Sequence, residues 1–126
     1  VTTPTTEEYD RATIDLIFAL RDSLTDDGPS RLEFWTGGRA ATALTTAAAG
    51  ADTAAAAITT AARKLQIPQI TTRHAATVKA VAAVIDRDYQ AWAAHVDRNI
   101  VYIVALADVE RQTRKTTTTT TPEATF

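Results

Sequence analysis

From Thr72 to Thr113 neither glycine nor proline interrupts the chain, and apolar residues recur at Val78, Val81, Ile85, Tyr89, Trp92, Val96, Ile100, Ile103 and Ala107. The steps of three and four average close to 3.6 residues and repeat every eleven. That is the signature of a nearly straight helix with one continuous apolar stripe, not of a left-handed heptad coil. With Thr71 or Thr72 as its cap, the pattern predicts a helix of roughly 40 residues and about 60 Å. Asp86, Arg87, Asp97, Arg98 and Asp108 fall off the stripe, as a solvated side requires.

Upstream, punctuation marks shorter helices. Thr5-Thr6-Glu7-Glu8 reads as a capping box, with a first helix running to about Leu24, before Asp26-Asp27-Gly28-Pro29. Ser30-Arg31-Leu32-Glu33 is a second box of the same kind. The helix it opens meets Gly37-Gly38, where it bends or breaks, and continues to Ala49. Gly50 suits a C-terminal left-handed position and Asp52 an N-cap for a third helix, although one frayed helix spanning both stretches fits as well. The third helix ends before Pro68, which disfavours helical geometry in the residue preceding it.

Two segments carry more apolar surface than one core needs. In the first helix Tyr9, Leu16, Ile17, Leu20 and Leu24 form one stripe, while Ile14 and Phe18 project from nearly the opposite side. In the last helix, residues 100–107 are apolar around the whole circumference, and Val101, Tyr102 and Leu106 lie off the stripe. A helix sandwiched between two others would account for such surplus; so would contact with another molecule. Under the second reading, Ile14→Asp with Phe18→Asp gives a folded but smaller species. After Arg114-Lys115 a run of threonines from Thr116 to Thr121 leads to Pro122 and ends at Phe126. By composition this is an extended or disordered tail, whose terminal phenylalanine suits a neighbour's groove.

Composition sharpens the picture. Of 57 hydrophobic residues among the 126, 26 are alanine, so the large apolar side chains number only 31 and the core must be thin and closely packed. Threonine, at 24 copies, is a mediocre helix former because its branched Cβ loses rotamer freedom. A net charge of −2 argues against a strongly basic nucleic-acid binder. With no cysteine there is no disulfide or thiolate chemistry within the chain. No run of about 18 apolar residues spans a membrane, and no signal-peptide pattern opens the chain. Its first residue is Val1, as in a processed form.

Chemistry is sparse. His74 and His95 fall 21 residues apart on the predicted long helix, roughly 30 Å, too far to share a metal. His95 has only Asn99 and Gln90-Ala91 near it along the helix and reads as a surface residue. Ser23 and Ser30 are the two serines, and both sit at helix ends. Asp86, Asp88 and Asp97 alternate with arginines, as on a solvated face. Gly37-Gly38 lacks the rest of a phosphate-binding loop. No catalytic residue, metal ligand or cofactor is expected.

Three resemblances bear on function. Residues 62–73, with Arg63, Lys64 and Arg73 around Pro68, are similar to the turn of helix-turn-helix DNA readers, with Gln66 where a glycine is usual. That resemblance implies phosphate contacts from Arg63, Lys64 and Arg73. Trp35-Thr36-Gly37 ahead of an alanine-rich helix resembles the turn of the small secreted helical hairpins named for a W-x-G motif. It implies export and a heterodimeric partner, but the family's tyrosine–acid signal is missing after Tyr89 and Tyr102. The alanine–threonine texture is similar to that of ice-binding peptides, with Thr42 and Thr53 eleven apart.

The expected fold is all-α and bundle-like, with short helices packed on one long C-terminal helix and extended termini. Residues 1–115 form a single helical domain and residues 116–126 a threonine-rich extended tail. The expected role is a non-enzymatic, self-associating structural or adaptor subunit, such as a virion, capsid or filament component. It forms a homo-oligomer or larger protein assembly and is soluble, within a particle. The contact residues are Ile14, Phe18, Val101, Tyr102, Leu106 and Phe126. The alternatives are a helix-turn-helix DNA-binding regulator and the secreted hairpin.

Overall fold

The computed structural model describes residues 4–24, 38–67, 69–70 and 72–124, with side chains as far as Thr113. Among them are five α-helices: α1 (Thr6–Asp22), α2 (Arg39–Ala49), α3 (Ala54–Lys64), α4 (Ala75–Ile85) and α5 (Tyr89–Ala124). A short 3₁₀ turn, Thr72–His74, precedes α4. The architecture is an all-α bundle. α1 lies against both α4 and α5, α2 against α3 and α5, and α3 also touches α4.

Local chemistry sets the helix ends. The Thr5 hydroxyl accepts from the Glu8 amide at 3.2 Å, and Glu7 and Glu8 put negative charge in the first turn of α1. Gly38 precedes α2 at φ +73°, a conformation that penalises any side chain. α2 and α3 are separate helices, and Thr53 rather than Asp52 caps α3, accepting from the Ala56 amide at 3.3 Å. α3 ends in a Schellman turn: the Ile67 amide donates to the Ala62 carbonyl at 2.8 Å and the Gln66 amide to the Arg63 carbonyl at 3.0 Å. Gln66 takes φ +60° there, where glycine is the ordinary choice. The box at Ser30 and the Trp35-Thr36-Gly37 motif lie outside the described residues.

The long C-terminal helix is shorter than the stripe predicts, because residues 86–88 break it. The Arg87 and Asp88 amides donate to carbonyls three residues back, those of Val84 and Ile85, which closes α4. The Asp88 carboxylate then accepts from the Ala91 amide at 3.2 Å and caps α5, while Asp86 accepts from the Ala54 amide at 2.8 Å at the start of α3. Aspartate competes well for such capping positions, and hydrophobic spacing does not register the competition. At its far end the α5 backbone continues through the threonine run to Ala124, where an extended tail is expected. Once a helix exists, each further residue adds one hydrogen bond, and no proline intervenes before Pro122.

The stripe itself is the core. Val81, Ile85, Tyr89, Trp92, Val96, Ile100, Ile103 and Ala107 are buried, and Val78 is partly so. They pack on Leu16, Ile17 and Leu20 of α1 and on the alanine-lined faces of α2 and α3 within one cluster. Polar ties fix the register of this core. The Trp92 indole donates to the Thr13 hydroxyl at 3.1 Å, and that hydroxyl donates to the Tyr9 carbonyl at 2.7 Å. At the joint between α4 and α5, the Tyr9 phenol donates to the Asp88 carbonyl at 3.1 Å. The Tyr89 phenol donates to the Ala48 carbonyl at 2.7 Å near the end of α2. Burial raises the pKa of both phenols, and neighbouring carboxylates (Asp88 and Glu8, and Asp52 and Asp86) add to the shift.

Candidate functional site

The six residues expected to make contacts divide sharply. Ile14 and Phe18 are only 6% and 5% exposed, buried in the chain's own core. The expectation that they face a partner is corrected, because α1 is packed on more than one side and needs apolar residues around most of its circumference. Leu106 is half-turned toward the core. Val101 and Tyr102 are 79% and 60% exposed, and Val109, which the sequence pattern did not single out, is 61% exposed. Phe126 lies outside the described residues.

Helix geometry explains the split on α5. Ile103 and Ala107 face the core. Val101, Ala105 and Val109 each stand two residues, or about 200°, from a core-facing position, and so line the far side. Val109 was recoverable from sequence, since Val101, Ala105 and Val109 repeat at intervals of four. The ridge reads Val–Ala–Val with a small residue at its centre, and is the same read in either direction.

The two histidines form polar ties between α1 and later elements. His95 Nε2 is 2.7 Å from Asp10 Oδ1, and the Asn99 carboxamide sits against the same ring. The reading of His95 as a surface residue is therefore corrected: it is largely covered and bonded to α1. His74 Nε2 is 3.2 Å from Asp22, and the Arg73 guanidinium lies 3.6 Å from the same carboxylate. Along-helix spacing could not reveal partners on a different helix. Each cluster pairs one histidine with one carboxylate. Among the described residues no group of three or more His, Cys, Asp or Glu could hold a metal. The Ser23 hydroxyl is buried on the Ala19 carbonyl.

The basic turn between α3 and α4 has changed character. The predicted long helix would be too long for the second helix of a compact DNA reader, but the break at residue 86 leaves α4 only 11 residues long. Yet nine residues separate Leu65, the cap of α3, from Ala75, where a helix-turn-helix has three or four. Arg63 and Lys64 are exposed, whereas Arg73 is engaged by Asp22. Thr42 lies on α2 and Thr53 at a cap, so the two do not share a helical face.

α3, α4 and Ile67, Gln69 and Ile70 between them line an open groove of about 680 Å³. Its apolar lining includes the partly exposed Ile70 and Val78 and the exposed Ala55 and Ala75, over a floor where Ile58 and Ile67 are almost fully buried, with Arg63 on one wall and Lys79 on the other. No family model matches the chain, and no curated protein or solved structure does either. No helix among the described residues is long and apolar enough to cross a membrane.

Proposed function

We propose that this chain is a non-enzymatic, self-associating structural or adaptor subunit whose joint is the outer face of α5. One observation carries the reading: Val101, Tyr102 and Val109 stand 79%, 60% and 61% exposed on a side of α5 that no other described element covers. Apolar side chains grouped in this way, unlike single surface hydrophobics, mark contact surfaces. The palindromic ridge favours a second copy over an unrelated partner. A two-fold axis at Ala105 sets Val101 of one protomer against Val109 of the other, and the central alanine allows the helices to approach closely. A particle or filament component would use such a joint together with further contacts.

The natural absence of cysteine provides a direct test. Ala105→Cys places a thiol on the proposed axis, within the Cα separation of less than about 7 Å that a disulfide requires. Mild oxidation should link this variant into dimers, while Ala94→Cys, exposed eleven residues away, stays monomeric. Equal linking of both variants, or of neither, contradicts the arrangement.

A further inference from the structure

The groove between α3 and α4 has the chemistry of a ligand site, and it is independent of the α5 face. Its volume of about 680 Å³ falls in the range of small-molecule pockets, roughly 300–1,000 Å³. Of twelve lining residues eight are apolar, two are neutral polar (Thr59 and Gln69), two are cationic and none is acidic. Arg63 projects from α3 and Lys79 from α4. Neither has an ion-pair partner among the described residues, a state they share with Arg39, Lys64 and Arg98, while Arg11, Arg21, Arg73, Arg87 and Arg111 are paired. An apolar trough between two unpaired cations is complementary to an apolar chain ending in an anion.

We propose that this groove binds a free fatty acid, with the alkyl chain against Ile70, Val78, Ala55 and Ala75 and the carboxylate between Arg63 and Lys79. Both walls are 11-residue helices, about 16 Å long. A groove of that length and volume suits a single medium-length chain. It is short for an amphipathic helix, which needs anchors over two or more turns and brings far more bulk. Guanidinium and ammonium groups together favour a carboxylate head over a neutral one, and few other polar groups are present to bind an uncharged head. The lining also explains why Arg63, read from sequence as a phosphate contact, lies beside apolar neighbours.

The test is calorimetric titration of the full chain with octanoate, decanoate and dodecanoate, each below its micellar range, and with dodecanol. Affinity should rise about fourfold for each added methylene, the value for burying one CH₂. Dodecanoate should bind at least tenfold more tightly than dodecanol, and Arg63→Gln with Lys79→Gln should abolish that preference. Both cations are exposed, so the double variant should keep the parent melting temperature. Ala75→Trp, at an exposed position on the groove wall, should block binding without touching the core. The proposal is overturned if dodecanoate and dodecanol bind equally. It also fails if chain length has no effect, if no heat of binding appears, or if Ala75→Trp binds as well as the parent.

Discussion

α1 and the second half of α5 pose the same puzzle in sequence, since both carry more apolar surface than one core requires. The structure resolves the two cases in opposite ways. α1 lies against α4 and α5 and buries Ile14 and Phe18 along with its main stripe. α5 turns Ile103 and Ala107 inward but leaves Val101, Tyr102 and Val109 to solvent. Surplus apolar surface on a helix therefore does not by itself tell whether other helices of the same chain cover it.

Truncation should expose this difference most strongly. Phe18→Ala should cost about 3–5 kcal/mol in chemical denaturation, as for other buried aromatics. Val101→Ala, compared with the parent at concentrations dilute enough for both to be monomers, should stay within about 0.5 kcal/mol. The pair Ile14→Asp and Phe18→Asp, expected from sequence to leave a folded smaller species, should instead abolish the cooperative transition. If Phe18→Ala proves as mild as Val101→Ala, the two regions are not different and the assignment of α1 to the interior fails.

The polar tie between α1 and the first half of α5 is the next largest effect. Thr13→Val keeps the shape of the side chain but leaves the Trp92 indole N–H buried without its acceptor, a loss of about 1–3 kcal/mol. Thr13→Ser should recover most of it. A near-neutral Thr13→Val in urea unfolding would mean that Trp92 finds another acceptor. Asp88→Ala should cost about 1 kcal/mol through the lost cap of α5, whereas Asp97→Ala, an exposed residue further along the same helix, should cost almost nothing. Equal effects would contradict the break at residues 86–88.

The smallest effect is a pH dependence. Tyr9 and Tyr89 have folded pKa values raised above the ordinary phenol value of about 10, so the unfolded chain releases these protons first. Their contribution is complete below that value and is lost as pH climbs through the folded pKa values. Melting temperature should therefore fall more steeply above about pH 10 in the parent than in Tyr9→Phe with Tyr89→Phe. Identical slopes would remove the buried phenols from the account of the joint.

Much of the fold was legible because burial follows periodicity. The stripe is buried from Val81 to Ala107 and partly so at Val78, and the Thr5 cap sits where its motif predicts. The break at Asp86–Asp88 was hidden because the apolar spacing runs through it unchanged. Its cause lies in two carboxylates that bind backbone amides, one of them on α3. His95 and Asp10 were equally invisible as a pair, since their partnership depends on how α1 docks. The exposed ridge was half legible: its apolar character shows in residues 100–109, but only the packing separates Val101 and Val109 from Ile103 and Ala107. The groove between α3 and α4 had no linear signature, because its cations come from two helices.

The central claim is that the outer face of α5 joins copies of this chain. Its most direct test is absolute mass by light scattering for the parent and for Val101→Asp with Val109→Asp, both at exposed positions. The parent should weigh twice its 13.5 kDa or more, and the double variant should be a folded 13.5 kDa monomer with an unchanged helical signal. A parent that remains at 13.5 kDa at high concentration, or a double variant with the parent's larger mass, would contradict the account.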